Sequence, residues 1–216
     1  MPEGGSYRER ARRDSGTDVL DRDAVQRGFA THLLFGAITY DAAEVLALSE
    51  PVDKHLRNSV VLLDPTGRVE GVSHKIRLLI FGEYLPFEDL IPGLRELVPE
   101  AGFFREGDGV RVLSMRLADG KTRRIAPLVC YEDVIPEFGR IMSSMRHDLL
   151  VNVTNDAWFG HTSEPALHLQ LAAARAVESR RALVRSTNTG ISAFVDPAGR
   201  ILDQTSLSDP EVRVRA

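Results

Sequence analysis

Short apolar runs closed by turn signals are the feature that most limits what this 216-residue chain can fold into. The run Asn58–Leu63 ends at Asp64-Pro65-Thr66-Gly67 and is followed by a second β-rich run, Arg68–His74, which is typical of a hairpin. A similar strand–turn–strand pattern surrounds Asp196-Pro197-Ala198-Gly199. Strand–helix units accompany these hairpins, so the sequence predicts a layered α/β fold and not an all-β one.

One helix and several further strands follow from the apolar pattern. The clearest helix is Pro165–Arg181, where Leu167, Leu171, Ala174 and Val177 recur at helical spacing. A second helix is predicted to begin at Glu132 and Asp133, directly after Cys130. The other predicted strands are His32–Ile38, Val110–Leu117, Arg123–Cys130, Leu149–Thr154, Ile191–Val195 and Arg200–Leu202.

Composition excludes some classes of function. The net charge is −4, which gives no reason to expect nucleic acid as a partner. A single cysteine rules out a multi-cysteine zinc site, and no Cys/His cluster implies a metal or cofactor. No apolar run is long enough to span a membrane, and Met1–Asp23 is too polar for a signal peptide. We therefore expect a soluble chain as given, with residues 1–216 forming one domain.

The lone cysteine lies where an apolar strand meets a polar segment, in Val129-Cys130-Tyr131-Glu132-Asp133. Backbone N–H groups at the start of a following helix would stabilise a thiolate there and prepare an oxyanion site. A buried structural cysteine is the plainer interpretation. The acids that follow Cys130 favour a catalytic one.

Two other segments have both a functional and a structural interpretation. Asn155, Asp156 and Trp158 follow the strand Leu149–Thr154, and ligands of α/β proteins gather at such strand ends. A turn stabilised by Asn and Asp side chains explains them equally well. Lys75 ends the return strand of the first hairpin, where a lysine is ordinarily a solvated strand end. Its ammonium group would also suit an oxyanion beside a thiolate.

Taken in order along the chain, these segments resemble the carbon–nitrogen hydrolase (nitrilase) superfamily. The resemblance rests on Lys75, Phe81-Gly82-Glu83-Tyr84, Cys130-Tyr131-Glu132 and Asn155-Asp156-Ala157-Trp158-Phe159-Gly160. The Phe-Gly-Glu-Tyr and Asn-Asp-Ala-Trp-Phe-Gly segments, with Arg185-Ser186-Thr187-Asn188, resemble the apolipoprotein N-acyltransferase branch. The resemblance implies a nitrilase-like αββα sandwich.

The resemblance also implies a Glu–Lys–Cys catalytic triad. Lys75 and Cys130 match two of its members, and Glu3, in Pro2-Glu3, lies before Leu33–Gly36 at an interval similar to that of the family's glutamate. A frayed terminal glutamate is the alternative for Glu3. Four further residues match positions that line the family's site: Glu83 and Glu132, expected to hold Lys75 and the cysteine turn, and Tyr131 and Trp158, expected as pocket walls. By the same resemblance, Arg185, Ser186 and Asn188 are structural.

Three departures from the family pattern shape the functional expectation. The first strand or strands of the sandwich are missing. The family's membrane-spanning segments are missing as well, and Ile80 stands where the family usually has a proline. The resemblance therefore implies a fragment of a larger enzyme of the inner membrane, with its catalytic domain facing the periplasm. That enzyme moves an acyl chain from a phospholipid donor to a lipoprotein acceptor. A soluble amidase with the same triad, or an inactive remnant or binding domain, are the alternatives.

Overall fold

The computed structural model describes residues 31–48, 52–88, 90–91, 93–98, 101–160 and 162–206. The predictions for Glu3, for the charged N-terminal segment and for any strand that precedes residue 31 lie outside these residues. Among the helices of the described residues, none is long and apolar enough to cross a bilayer.

The first sheet is an antiparallel meander of three strands, β1 Leu33–Thr39, β2 Arg57–Leu63 and β3 Val69–His74. Helix α1, Ala42–Leu48, and a 3-10 turn, Val52–His55, connect β1 to β2. The β2–β3 turn is closed by Asp64, whose Oδ1 accepts the backbone N–H groups of Thr66 and Arg68. The predicted hairpin is therefore confirmed.

The second sheet has six strands in chain order, with a parallel centre and antiparallel edges. A short helix, α2 Leu94–Leu97, precedes it, and helices α3 Pro136–Ser144 and α4 Glu164–Ser179 connect its parallel strands. The central strands are apolar on both faces because the sheet is covered on both sides. The strands are β4 Leu113–Arg116, β5 Thr122–Val129, β6 Leu149–Thr154, β7 Ala182–Thr187, β8 Ala193–Val195 and β9 Ile201–Gln204.

Two apolar cores hold three layers together. The core between the two sheets joins strands β2, β4, β5 and β6 through Val60, Leu62, Leu113, Ile125, Val129, Val151 and Val153. The core between the second sheet and the helices α3 and α4 includes Leu128, Phe138, Met142, Leu150, Leu169, Ala172 and Leu183. The helices α3 and α4, the second sheet and the first sheet therefore stack in that order. They correspond to three of the four layers of the predicted αββα sandwich.

The helix after the cysteine begins later than predicted. Residues Cys130–Val134 form a 3-10 turn, and helix α3 starts only at Pro136. Ile135 has an extended backbone, as expected of a residue whose α conformation is hindered by a following proline. The prediction of a helix from Glu132 was wrong, and Cys130 is the first residue of a tight turn instead.

Helix α4 is confirmed, but its buried face is not the one formed by the leucine stripe. Leu171 is 46% exposed, whereas Leu169 is 2% exposed. The buried face includes Leu169 and three alanines, and on it His168 bonds the buried carboxylate of Asp133. Helix α4 has apolar residues on two faces. Its packing against the second sheet determines which face is buried, and helical spacing alone does not.

Candidate active site

The candidate site comprises residues at the carboxyl ends of β3 in the first sheet and of the adjacent strands β5 and β6 in the second. Lys75 directly follows β3, Cys130 directly follows β5, and Asn155 directly follows β6. The carboxyl ends of the parallel strands β5 and β6 meet at one edge of the second sheet. The segment after β3 is joined to them by hydrogen bonds from Ile76 and Arg77 to Glu132.

Lys75 is a buried cation held by one carboxylate. Its side chain is 1% exposed, and Nζ donates to Oε2 of Glu83 at 2.6 Å. Glu83 also accepts the side-chain N–H of Asn58 at 2.6 Å and the backbone N–H of Leu79 at 2.8 Å. Three donors thus converge on Glu83, which fixes Lys75 in place and balances its charge.

Glu132 joins the turn of Cys130 to the segment of Lys75. One carboxylate oxygen accepts the backbone N–H groups of Ile76 and Arg77 at 2.7 and 3.1 Å, and the other accepts that of Val129 at 2.9 Å. Burial raises the pKa of Glu132, although these bonds and the charge of Lys75 oppose the rise. Residues on both sides of the proposed site therefore share one buried carboxylate.

Cys130 has a left-handed backbone conformation that non-glycine residues rarely adopt. Its φ is 50°, and its side chain is partly exposed. Such a conformation costs about 1–3 kcal/mol and persists only where the surrounding structure enforces it. The neighbouring Tyr131 is 48% exposed. The cysteine therefore sits on a strained turn that is open to solvent.

The predicted roles of Trp158 and Glu3 fall on atoms outside the described structure. Trp158 lies in the 3-10 turn Ala157–Phe159, but its side chain lies outside the described atoms. Glu3 lies outside the described residues altogether. Their assignments as pocket wall and general base stay predictions.

A buried ionic network lies beneath the cysteine turn, and sequence reasoning did not find it as a unit. Arg185 donates to Asp133 at 2.7 Å, to Asp156 at 2.9 Å and to Asn152 at 2.8 Å. His168 bonds Asp133 at 2.8 Å through Nε2, and its Nδ1 lies 3.3 Å from Asp156. The network links strands β6 and β7, helix α4 and the turn of Cys130.

Two residues of the network, Asn152 and His168, are polar residues in otherwise apolar parts of their elements. Asn152 interrupts the apolar run of β6, and His168 lies on the apolar face of α4. A polar side chain in a fully covered strand or helix face needs a hydrogen-bond partner in the fold. The sequence showed that partners were needed but not which residues they would be.

The carboxylates of the network control the charge of His168. Burial works against the charged imidazolium, but the bonds to Asp133 and Asp156 outweigh it and raise the pKa to about 9. Burial likewise opposes the charged form of Asp156, yet the bond to His168 and the charge of Arg185 lower its pKa. In this network the carboxylates of Asp133 and Asp156 are paired with two cations, Arg185 and the protonated His168.

Asp156, Glu164 and His168 form a group whose ligand atoms lie within 4.8 Å of one another. A metal ion would have to displace the proton on Nδ1 of His168, which faces Asp156 at 3.3 Å. With the pKa of His168 at about 9, that proton is retained at neutral pH. The group is better explained as an ion-pair network than as a metal site.

Comparison with known proteins gives a family match and a set of curated relatives. The model of the carbon–nitrogen hydrolase family matches residues 30–215. Apolipoprotein N-acyltransferase of Bdellovibrio bacteriovorus is 38% identical over 200 residues, which cover 89% of this chain and 36% of the relative. The corresponding protein of Geobacter metallireducens is 44% identical over 150 residues, which cover 69% of this chain and 28% of that relative. The chain thus spans roughly a third of the length of these relatives.

Solved structures share the fold at lower sequence identity. A structure of the amidase from Nesterenkonia sp. AN1 has a TM-score of 0.55 and 23% identity, and the match covers 82% of this chain and 58% of that one. It shows covalent addition of the acetamide moiety of fluoroacetamide at the active site cysteine of the amidase. A second structure of this amidase, a member of the nitrilase superfamily, matches with a TM-score of 0.56 and 22% identity. The predicted nitrilase-like fold is therefore confirmed.

Proposed function

Because the chain belongs to the carbon–nitrogen hydrolase family, we propose that it is the catalytic domain, residues 1–216, of an N-acyltransferase. It moves an acyl chain from a phospholipid, through a thioester on Cys130, to the N-terminal amine of a diacylglyceryl lipoprotein. The observation that carries the choice of reaction is the 38% identity to an apolipoprotein N-acyltransferase across 89% of this chain. The shared carboxylate of Glu132 supports the choice of Lys75 and Cys130.

In the first half-reaction, Cys130 becomes acylated. Glu3 accepts the thiol proton, and the sulfur attacks the ester carbonyl, forming a C–S bond and a tetrahedral oxyanion. Lys75 and the backbone N–H of Tyr131 stabilise that oxyanion. The C–O bond then breaks, and the lysophospholipid alkoxide leaves with the proton held by Glu3.

In the second half-reaction, the amine of the lipoprotein replaces the sulfur. The nitrogen attacks the thioester carbonyl, the C–N bond forms, the C–S bond breaks, and Glu3 transfers the amine proton to the departing thiolate. A thioester suits this sequence because it survives until the second substrate binds and still reacts with an amine. The free thiol of Cys130 is restored.

The other predicted site residues support these steps. Glu83 holds Lys75 by the 2.6 Å ion pair, and Glu132 holds the cysteine turn against the backbone of Ile76 and Arg77. Tyr131 and Trp158 form walls of the pocket for the acyl chain. None of these side chains is proposed to form a covalent bond with substrate.

A lipid donor is supported by the surface between Lys75 and β4. Eight large apolar side chains of this segment are exposed, the most exposed being Leu97 at 80%. Exposed apolar surface of this kind marks membrane contacts or sites for apolar ligands. The residues are Leu79, Ile80, Phe81, Phe87, Leu90, Ile91, Leu97 and Phe103.

The cellular setting follows from the relatives as part of the same proposal. The curated relatives are named apolipoprotein N-acyltransferases, and their name implies a lipoprotein substrate. This chain spans about a third of their length. We place the domain at the inner membrane, facing the periplasm, where segments outside this chain hold it at the bilayer. Phospholipid and lipoprotein are then its partners.

A soluble amidase is the second candidate, because the structural neighbours are amidases. That likeness supports the fold and leaves the substrate open. An inactive remnant is the third. The three candidates differ in what the chain releases or transfers.

The test is an assay with two substrate sets. The 216-residue chain is incubated with phosphatidylethanolamine vesicles and a diacylglyceryl-cysteine peptide, and separately with small aliphatic amides. We expect an N-acylated peptide, no ammonia, and no product from the Cys130→Ser variant. Ammonia release without acyl transfer would overturn the proposal in favour of the amidase, and the absence of both would leave the remnant.

A further inference from the structure

The peptide bond between Cys130 and Tyr131 connects the proposed nucleophile to the proposed oxyanion donor. Its carbonyl belongs to Cys130 and its N–H belongs to Tyr131. The described peptide bonds are trans, so this carbonyl and this N–H point in opposite directions. Whatever fixes the carbonyl of Cys130 therefore also fixes the direction of the oxyanion donor.

Asn152 holds that carbonyl from the core side. Its side chain is fully buried in β6, and Nδ2 donates to the carbonyl oxygens of Cys130 at 3.1 Å and Leu128 at 3.3 Å. With the carbonyl turned towards the core, the N–H of Tyr131 is turned away from it. Tyr131 is also an exposed residue of the turn, with 48% of its surface accessible.

Arg185 determines which way the amide of Asn152 faces. Its Nη1 donates to Oδ1 of Asn152 at 2.8 Å and to Asp133 at 2.7 Å. A guanidinium group only donates, so it must face the amide oxygen, which leaves the NH₂ group of Asn152 for the Cys130 carbonyl. Arg185 is itself held by Asp133 and Asp156, both fully or nearly fully buried.

We propose that Asn152, oriented by Arg185, is a positioning residue that aims the backbone N–H of Tyr131 at the oxyanion. This inference rests on the proposed function, since it assigns a role in acylation of Cys130. It predicts a specific defect: ester attack is impaired, because it generates an oxyanion. Simple alkylation of the thiol, which generates none, is spared.

The main test variant is Asn152→Asp. The new carboxylate still accepts from Arg185, but its second oxygen faces the carbonyls of Cys130 and Leu128 and repels them. Acylation by p-nitrophenyl butyrate and alkylation by iodoacetamide are measured separately, the first by nitrophenolate release and both by intact mass. We expect the acylation rate constant to fall roughly 100-fold, with alkylation changed less than about threefold.

Two further variants complete the test. Gln204→Glu makes the same amide-to-carboxylate change on an exposed residue of the edge strand β9, so both rates should match the wild type. Arg185→Lys keeps a cation in the network but loses the fork that reaches Asn152, so acylation should fall more than alkylation. If Asn152→Asp does not fold, the comparison of acylation with alkylation in Arg185→Lys tests the positioning role by itself.

The outcomes separate the two proposals. If the wild-type chain is alkylated but never acylated at Cys130, the proposed function fails and the positioning role fails with it. If the wild type is acylated and the variants are acylated equally well, only the positioning role is overturned. Equal losses of acylation and alkylation, or failure of both network variants to fold, would show a purely structural role and overturn it too.

Discussion

Glu83 is the residue whose contacts are most completely defined at the proposed site. Both of its carboxylate oxygens accept hydrogen bonds, one from Asn58 and the other from Lys75 and Leu79. A glutamine has only one accepting oxygen, so one side of the group would face donors with its NH₂. Leaving a buried donor unpaired costs more than the bond itself contributes.

We therefore expect Glu83→Gln to impair both stability and acylation. The free energy of unfolding should fall by about 1–3 kcal/mol, as for other buried groups left without a partner. Acyl-enzyme formation should slow because Lys75 loses its charged partner. Urea denaturation and nitrophenolate release measure the two effects.

The matched control is Glu88→Gln in the same segment. Glu88 pairs with Arg95, and both side chains are partly exposed. Loss of such a pair should cost less than about 1 kcal/mol and leave acylation unchanged. Equal effects of the two variants would contradict the role given to Glu83.

His168 makes stability depend on pH on the alkaline side. Its pKa is raised from 6.5 to about 9, so its charge stabilises the folded chain fully below about pH 6.5 and is lost as the pH rises through 9. The groups facing it are Asp133, Asp156, Arg185 and, on its own helix, Glu164.

The His168→Gln variant tests this dependence. The loss of unfolding free energy relative to the wild type should be greatest near pH 6 and should shrink near pH 10, where the histidine no longer carries charge. Urea denaturation at both pH values gives the difference. A loss that stays constant across this range would show that the charge of His168 contributes nothing.

The sequence indicated single candidate residues but not the contacts between them. Lys75, Cys130, Glu83 and Glu132 follow strand ends or recognisable motifs, so their order along the chain was informative. The link between Arg185 and Asn152 depends on strands β6 and β7 lying side by side in register, with these two residues paired. Register of that kind is a property of the fold, and no local pattern contains it.

At the scale of elements, most strands and helix α4 were predicted, but the central strand β7 was not, and the apolar pattern of α4 did not indicate which face is buried. Strand β6 was predicted to the residue because, apart from Asn152 and the final Thr154, it has the apolar composition of a doubly covered parallel strand. Helix α4 has apolar residues on two faces, and only contact with the sheet distinguishes them. The late start of α3 depends on Pro136, whose effect on Ile135 outweighs the acids that precede it.

A pair of leucines on α4 tests which face is buried. Leu169→Ala should cost about 2–5 kcal/mol of unfolding free energy, because it opens a cavity against the second sheet. Leu171→Ala, two residues along and exposed, should change it by less than about 0.5 kcal/mol. Thermal or urea unfolding of the two variants gives the comparison, and a reversed order would refute the packing of this helix.

At the scale of the whole molecule, two packed sheets bring the ends of β3 and β5 together. Each sheet supplies one group of the proposed chemistry, Lys75 from the first and Cys130 from the second. The core between the sheets, with Val60, Leu62 and Val129 in it, packs the two sheets against each other. The carboxylate of Glu132 then links the segment after β3 to the end of β5. Neither sheet alone would contain both groups of the proposed site.

The most direct test is to look for the acyl-enzyme itself. The 216-residue chain is incubated with phosphatidylethanolamine vesicles, and the intact mass and the peptide that carries Cys130 are measured. We expect a gain of one acyl chain on that peptide, removable by hydroxylamine, absent from Cys130→Ser and formed about 10²–10³-fold more slowly by Lys75→Met. No adduct, an adduct elsewhere, or equal acylation of Lys75→Met would contradict it.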